Sequence, residues 1–464
     1  MNILLNTDSY KASHFAQYPQ GTEFVSSYIE SRGSAVDGWT ETTYFGLQMF
    51  LQEYLTKPIT QDDIDEADAF WAAHGEPFNR DGWEYILNVH GGMLPVQIQS
   101  APEGLVLPTG HVLVQIVNTD PMVPWLTSYL ETALLRAVWY PTTVATQDLH
   151  IKRIIRRYLE ATSDSNTKDI DVMFKLHDFG ARGVSSMESA GVGGCAHLVH
   201  FMGTDTVSGA LYARRHYGEE MAGFSIPAAE HSTVTVWGSA EDEINAFENN
   251  IDQFAGEGKL YAVVSDSYDI YAACDKWGTL RDKIIAAGGT LVVRPDSGDP
   301  KTVVVEVLER LGRNFGFEAN SKGYKVLPPY IRVIQGDGIN HESIEDILSN
   351  MEAHGWSADN VAFGMGGAML QGVNRDTLKF AMKASAAKVN GTWRDVYKDP
   401  VTDTGKRSKR GRLALVKRDG EYGTIREDAL TDPRTNLLET VYRDGKILGS
   451  TTLADVRARA AEGL

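Results

Sequence analysis

The side chains with chemistry in them fall in a few short stretches. In RPDSGDP, residues 294–300, Arg294 and Asp296 follow directly on the apolar run TLVV. A guanidinium fork grips a phosphate through paired hydrogen bonds, and a carboxylate beside it suits a ribose diol or the shell of a Mg2+ ion. The same letters also spell a capped turn. PAAEHS sets His231 behind Glu230, with Asp269 in SDSYD further along. A carboxylate on one imidazole nitrogen leaves the other free as base or nucleophile. HDFGARG offers Phe179 as a stacking plate and Arg182 as a phosphate ligand, and GTDT offers Asp205. Their plainer alternatives are a core phenylalanine and a solvated or helix-capping acid. QGDG contributes Gly336 and Asp337, and GMGGA contributes Gly366 and Gly367. Glycines let backbone N–H groups approach an anion, and they also make tight strand-to-helix turns.

These stretches share one grammar, which dictates the elements that position them. VMFKLHDFGARG, AHLVHFMGTDT, GFSIPAAEHS, YAVVSDSYD, TLVVRPDSGD, IRVIQGDG and VAFGMGGA each run apolar and then break into glycines, carboxylates and cations. Runs of Val, Ile and Leu this short suit strands buried on both faces. Their spacing of roughly 25–40 residues is that of a strand, a helix and two loops. Parallel strands put their carboxyl ends on one side, where ligands bind. Arginines, aspartates and a histidine converge there, which points to an enzyme for a phosphate-bearing substrate. QGDG and GMGGA end the last two runs, the usual phosphate-binding pair of a barrel.

Elsewhere the text differs. LPVQIQSAPEGLVLPTGHVLVQIVNT alternates and turns, as antiparallel hairpins do. Thr60 followed by Asp63 predicts a capped helix through DIDEADAFWAAHG, and two helical patterns follow, PWLTSYLETALLRAVWY and TQDLHIKRIIRRYLEAT. After Lys398 the composition turns basic in KDPVTDTGKRSKRGRLALVKRDG. At 464 residues two domains are expected: an irregular α/β barrel over residues 167–376, and an α+β domain with an antiparallel sheet from both chain ends, 1–166 plus 377–464.

A net charge of −18 disfavours a general role in binding nucleic acid. Cys195 and Cys274 lack CxxC spacing and suit a reducing cytoplasm. No stretch of 18 apolar residues marks a membrane span, and no apolar leader opens the chain. GVGGCA matches a relaxed dinucleotide fingerprint but follows SSMESA, which is no buried strand, so a closely packed small-residue helix is expected there. HESIE lacks the final histidine of a zinc motif, and there is no P-loop.

Taken in order, NTDSYKASH, HDFGARGVSS, GTDTVSG, FSIPAAEHST, VVSDSYDIY, RPDSGDP, NSKGYK, LPPYIRVIQGDG and KRSKRGRL resemble the nicotinamide phosphoribosyltransferase family of type II phosphoribosyltransferases over essentially the whole chain. The resemblance implies an α/β barrel plus a second domain, working as a head-to-tail homodimer with two shared active sites. The reaction it implies joins nicotinamide to phosphoribosyl pyrophosphate, giving nicotinamide mononucleotide and pyrophosphate, with Mg2+ and with ATP as co-substrate. Phe179 would stack on one face of the pyridine ring and the partner's Tyr10 on the other. Asp205 would accept from the carboxamide N–H2, and Arg294 would face its oxygen. Asp296 would bind ribose hydroxyls; Ser225, Ser265, Gly336, Asp337, Gly366 and Gly367 would hold ribose and phosphate. Arg182, Arg375 and, across the interface, Arg32, Lys398 and Lys406 would neutralise phosphates. His231 would take a phosphoryl group from ATP, supported by Glu230 and Asp269. No residue is assigned as a metal ligand, because the substrate phosphates would hold Mg2+. The glycine loop departs from the family pattern, with Met365 where a small residue is expected and Ala368 where a third glycine is expected. Two rivals share this fold. A nicotinate phosphoribosyltransferase is opposed by Asp205, whose charge would repel a carboxylate. A non-catalytic ligand-binding or signalling protein is opposed by the intact set of His231, Asp296 and phosphate-binding arginines.

Overall fold

The computed structural model describes residues 2–402 and 407–464; Lys406 lies outside them. The chain divides into two compact units. Unit 1 comprises Met1–Thr146, Arg215–Glu219 and Asn374–Leu464, and unit 2 comprises Gln147–Arg214 and Glu220–Val373. The sequence-based cut at 166/167 falls past the first of these boundaries. Residues 146 and 147 lie inside one continuous helix, Glu131–Thr162, so no loop signals the division.

Unit 2 is an irregular α/β barrel. Its strands are β1 (Leu176–Asp178), β2 (Gly203–Thr204), β3 (Leu260–Val264), β4 (Thr290–Arg294), β5 (Ile331–Gln335) and β6 (Val361–Met365). All pairings are parallel, in the spatial order β2-β1-β6-β5-β4-β3. The remaining apolar phrase, GFSIPAAEHS, joins the two edges by single parallel bridges, Gly203 to Phe224 and Ala228 to Ala262. Thr204 N–H donates to the Phe224 carbonyl at 2.9 Å, and Ala262 N–H donates to the Pro227 carbonyl at 2.9 Å. Pro227 has no N–H to return, which keeps this stave from becoming a full strand.

Period-two alternation sorts the strand residues. Residues facing outward under the helices, such as Leu176, Val263, Val293, Val333, Phe363 and Met365, are fully buried. Inward residues at alternate positions include Ala262, Val292 and Ile334, which cluster with Phe179, Ile226 and Ala362. Both faces are apolar, so the strands read as continuous hydrophobic runs. The helix Met187–His197 contains GVGGCA; a Cβ on Gly194 would lie 3.0 Å from Gly209 Cα of helix Val207–Tyr217. The small residues there serve close helix packing, not a dinucleotide.

Unit 1 is α+β and is built from both chain ends. Its seven-stranded sheet runs Thr392–Asp395, Phe380–Val389, Thr22–Ser31, Val112–Asn118, Val96–Ser100, Glu439–Arg443, Lys446–Ile447 in space, and these neighbours pair antiparallel. Ile29, Ile98, Val114 and Ile116 share its core with Ile64, Trp71, Trp83 and Ile86 of two helices, Gln61–His74 and Arg80–His90. The first of these helices carries the Thr60–Asp63 capping box. Among the described residues, no helix is long and apolar enough to cross a membrane.

Candidate active site

The carboxyl ends of the barrel strands carry the polar residues that the sequence singled out. Beneath them lies a cavity of about 740 Å3. Phe179, Asp205, Ser225 and Arg294 line it at the rim; Ile226, Ala228, Ala262, Val292, Ile334 and Ala362 line its apolar middle; Lys175, Arg332 and Asp359 line its far end. Lys175, His177 and Phe179 all face inward because they alternate along β1. Burial pushes the His177 imidazole down to about 4, so the ring is neutral at pH 7. An apolar slot with a few polar groups at one mouth suits a flat, largely uncharged ring carrying one polar substituent.

Three residues define that mouth. The Phe179 backbone is pinned by its N–H to the Met365 carbonyl at 2.9 Å. The Asp205 backbone N–H donates to the Asp178 carbonyl at 2.9 Å, and its carboxylate accepts from the Ser225 hydroxyl. Ser225 therefore stands with Asp205 at the mouth. Arg294 reaches Asp296 Oδ2 at 3.5 Å, while its buried Nε has no hydrogen-bond partner among the described residues. A buried unpaired donor costs free energy unless a ligand satisfies it.

His231 sits where the closing stave ends, at the first turn of the short helix His231–Thr235. Its Nδ1 is 3.1 Å from Ser267 Oγ, and its Nε2 is 3.4 Å from Asp296 Oδ2 and 3.9 Å from Asp266 Oδ1. Asp266 is nearly buried; its Oδ2 accepts from the Asp296 N–H at 2.9 Å and from the Ser297 hydroxyl. The carboxylates expected to support His231 are engaged elsewhere. Glu230 accepts from the Ser232 hydroxyl, and Asp269 caps helix Ile270–Thr279 through the N–H groups of Tyr271 and Ala272. Asp266, three residues before Asp269, is the group that sequence reasoning missed. Its signal was its place directly behind the run YAVVS, whereas Asp269 precedes a helical pattern, as an N-cap does. Ser265 is fully buried: its hydroxyl donates to the Val263 carbonyl and accepts from the Trp277 indole N–H. The second bond ties the strand end to helix Ile270–Thr279.

Arg182 is exposed in the turn Ala181–Gly183 behind β1, where Gly183 packs against Gly367; a Cβ on Gly183 would lie 2.8 Å from Gly367 Cα. Gly366, Gly367 and Asp337 lie on the same rim, behind β6 and β5. The Met365 side chain points outward and is fully buried, and Ala368 lies in the short helix Gly367–Leu370. The departure at Met365 thus places its side chain in the core beneath the helices, away from the rim.

In unit 1, Tyr10 lies in a 3-10 segment, Ser9–Ala16, and is 54% exposed. The buried Lys11, paired with Glu131, supports it from one side with its ammonium 5.1 Å from the Tyr10 ring; His14 packs edge-on at 5.1 Å. Arg32 and Lys398 belong to a cationic group with Lys383 and Lys409, in which Glu30 pairs with Lys409. Burial, followed by the charges of Arg32 and Lys398, pushes the Lys383 ammonium down to about 8, and its Nζ has no hydrogen-bond partner among the described residues. Lys383 was legible only as a lysine breaking an alanine-rich strand, AMKASAAKV. Arg375 pairs with Asp376 at 2.9 Å.

Comparison with known proteins bears on this geometry. Residues 174–446 match the model of the nicotinate phosphoribosyltransferase (NAPRTase) family, and residues 2–98 match that of the nicotinamide phosphoribosyltransferase N-terminal domain. A nicotinamide phosphoribosyltransferase of Xanthomonas campestris pv. campestris is 55% identical, over 99% of this chain and 98% of that protein. The chain belongs to the nicotinamide phosphoribosyltransferase family. Another relative of that name, from Acinetobacter baylyi, is 32% identical over 100% of this chain and 98% of its own length. Two solved structures share the fold of this phosphoribosyltransferase at 16% identity. Nicotinate-nucleotide pyrophosphorylase from Pyrococcus furiosus has a TM-score of 0.65, covering 99% of this chain and 95% of that one. Human nicotinic acid phosphoribosyltransferase has a TM-score of 0.57, covering 98% and 93%.

The family implies Mg2+. Among the described residues, no three His, Cys, Asp or Glu side chains form a cage for a metal ion. The orphaned Asp266 Oδ1 beside Asp296 fits an ion carried in on substrate phosphates and touched by one or two carboxylates.

Proposed function

We propose that this chain transfers the phosphoribosyl group of phosphoribosyl pyrophosphate to nicotinamide, in the cytoplasm, giving nicotinamide mononucleotide and pyrophosphate. The observation that carries the reading is the mouth of the barrel cavity, where Asp205 and the unsatisfied Arg294 Nε stand beside Phe179 above an apolar slot. A carboxamide offers what this pair lacks: N–H2 donors for Asp205 and a carbonyl oxygen for Arg294. Nicotinate would set a carboxylate against Asp205.

The pyridine nitrogen has a free lone pair and attacks the anomeric carbon. The bond from that carbon to the pyrophosphate oxygen breaks, and its electron pair leaves with pyrophosphate. No proton need be removed, so the residues act by positioning the ring and stabilising the leaving group. Phe179 and, from a second copy in a head-to-tail dimer, Tyr10 clamp the ring. Asp296 takes the ribose hydroxyls, and the backbone at Gly336, Asp337, Gly366 and Gly367 takes the 5′-phosphate. Arg182 and, from the second copy, Arg32, Lys383 and Lys398 neutralise phosphates. Bound Mg2+, near Asp266 and Asp296, would add charge neutralisation. His231 accepts a phosphoryl group from ATP, releasing ADP, with Ser267 orienting Nδ1.

Selectivity tests the assignment of Asp205. In Asp205→Asn the preference for nicotinamide over nicotinate should narrow by about 1–3 kcal/mol. Unchanged selectivity in steady-state assays of both bases would assign base reading to another group.

A further inference from the structure

We propose that Gly364, assisted by Gly336, is a positioning residue: it sets how deep the Phe179 ring sits and so how wide the slot for the planar base stands open. The inference rests on the reading of Phe179 as one plate of that slot. Gly364 and Gly336 face inward near the tops of β6 and β5, in register with the inward Ala362 and Ile334 below them. Neither glycine has a positive φ, so the backbone at these positions would accept any residue. Glycine in a strand weakens it and marks a close approach. Here the approach is by one ring edge. A Cβ on Gly364 would lie 2.0 Å from Phe179 Cε2 and 2.3 Å from Cδ2, and a Cβ on Gly336 would lie 3.3 Å from the same Cε2.

The ring has one way to yield. The Phe179 backbone is tied to Met365 by its N–H, and the following Gly180 N–H donates to Asp178 Oδ1 at 2.7 Å. A methyl group at 364 would therefore swing the ring about its side-chain torsions, away from β6 and β5 and into the cavity it lines. That is the volume the base needs. The requirement at 364 is for space, which separates it from the rim glycines 366 and 367.

The test compares Gly364→Ala, Gly336→Ala, Phe179→Ala, Phe179→Leu and Phe179→Leu/Gly364→Ala in the full chain, by steady-state kinetics with nicotinamide and phosphoribosyl pyrophosphate. Gly364→Ala should raise the KM for nicotinamide by about tenfold or more, as for overpacking of a close-packed site, and leave the KM for phosphoribosyl pyrophosphate within about twofold. Gly336→Ala, where the neighbour needs to give by only a few tenths of an ångström, should act in the same direction and less. In the Phe179→Leu background the Gly364→Ala change should cost several-fold less than in the wild type, because the ring atoms Cε2 and Cζ are gone and the leucine Cδ atoms can rotate clear of the added methyl. Equal cost with and without the phenylalanine edge would overturn the inference. So would a Phe179→Ala variant with raised KM for nicotinamide beside glycine variants that behave as wild type. If Phe179→Ala itself leaves that KM unchanged, it is the reading of Phe179 as a plate that fails. Should Gly364→Ala not fold by circular dichroism, Gly336→Ala and the double variant, whose ring edge is absent, decide the matter in the same terms.

Discussion

At the scale of single residues, His231 takes its neighbours from other staves of the barrel: Ser267 and Asp266 behind β3, and Asp296 behind β4. This is a half-exposed ring between an orienting hydroxyl and two carboxylates, suited to hold and pass on a phosphoryl group. His231→Ala should abolish ATP hydrolysis and ATP stimulation while ATP-independent synthesis stays measurable. If that variant hydrolyses ATP normally and makes no product, the histidine acts in glycosyl transfer instead. Arg294, Asp296, Asp205 and Phe179 were legible as residues because each follows an apolar run. The partners of His231 were not. Sequence adjacency favoured Glu230, and the helix-like context of Asp269 hid the helix cap that its carboxylate makes. Ser265 also ties strand to helix, and nothing in SDSYD reveals that Trp277 points its indole N–H there.

At the scale of elements, the apolar runs predicted the staves well because parallel strands buried on both faces leave an unmistakable run of Val, Ile and Leu. The closing stave was legible as a phrase but not as a pair of single bridges. Pro141 misled in the opposite direction. It separates two helical patterns in the sequence, yet Glu131–Thr162 is one helix through it. The proline ring fills space against Gly46, and the neighbouring Thr142 hydroxyl bonds both the N–H and the carbonyl of Phe45. Tertiary packing thus offsets the missing backbone donor. Gly46 is essential to that seat, with φ of +106° and a would-be Cβ 2.3 Å from the proline Cγ. Gly46→Ala should lower unfolding free energy by about 3 kcal/mol, since strain and overpacking coincide. An unchanged denaturation midpoint would show that this junction tolerates bulk.

At the scale of the whole molecule, the chain is acidic, yet Arg32, Lys383, Lys398 and Lys409 concentrate cationic charge in unit 1, and the Lys383 ammonium has no hydrogen-bond partner among the described residues. Tyr10, exposed on a well-supported 3-10 segment of the same unit, lacks an obvious purpose in a monomer. Both features suit a surface that completes a site on a second copy. Mixing inactive Tyr10→Ala with inactive Asp296→Ala subunits should restore activity, because a heterodimer contains one intact site. No recovery despite demonstrated subunit exchange would mean that each site is built from one chain.

The most direct test of the central claim is product formation by the purified full chain with phosphoribosyl pyrophosphate and Mg2+, comparing nicotinamide with nicotinate as acceptor. The account predicts nicotinamide mononucleotide and pyrophosphate in equal amounts, with kcat/KM for nicotinamide well above that for nicotinate. Preferential turnover of nicotinate, or turnover of neither base, would contradict it.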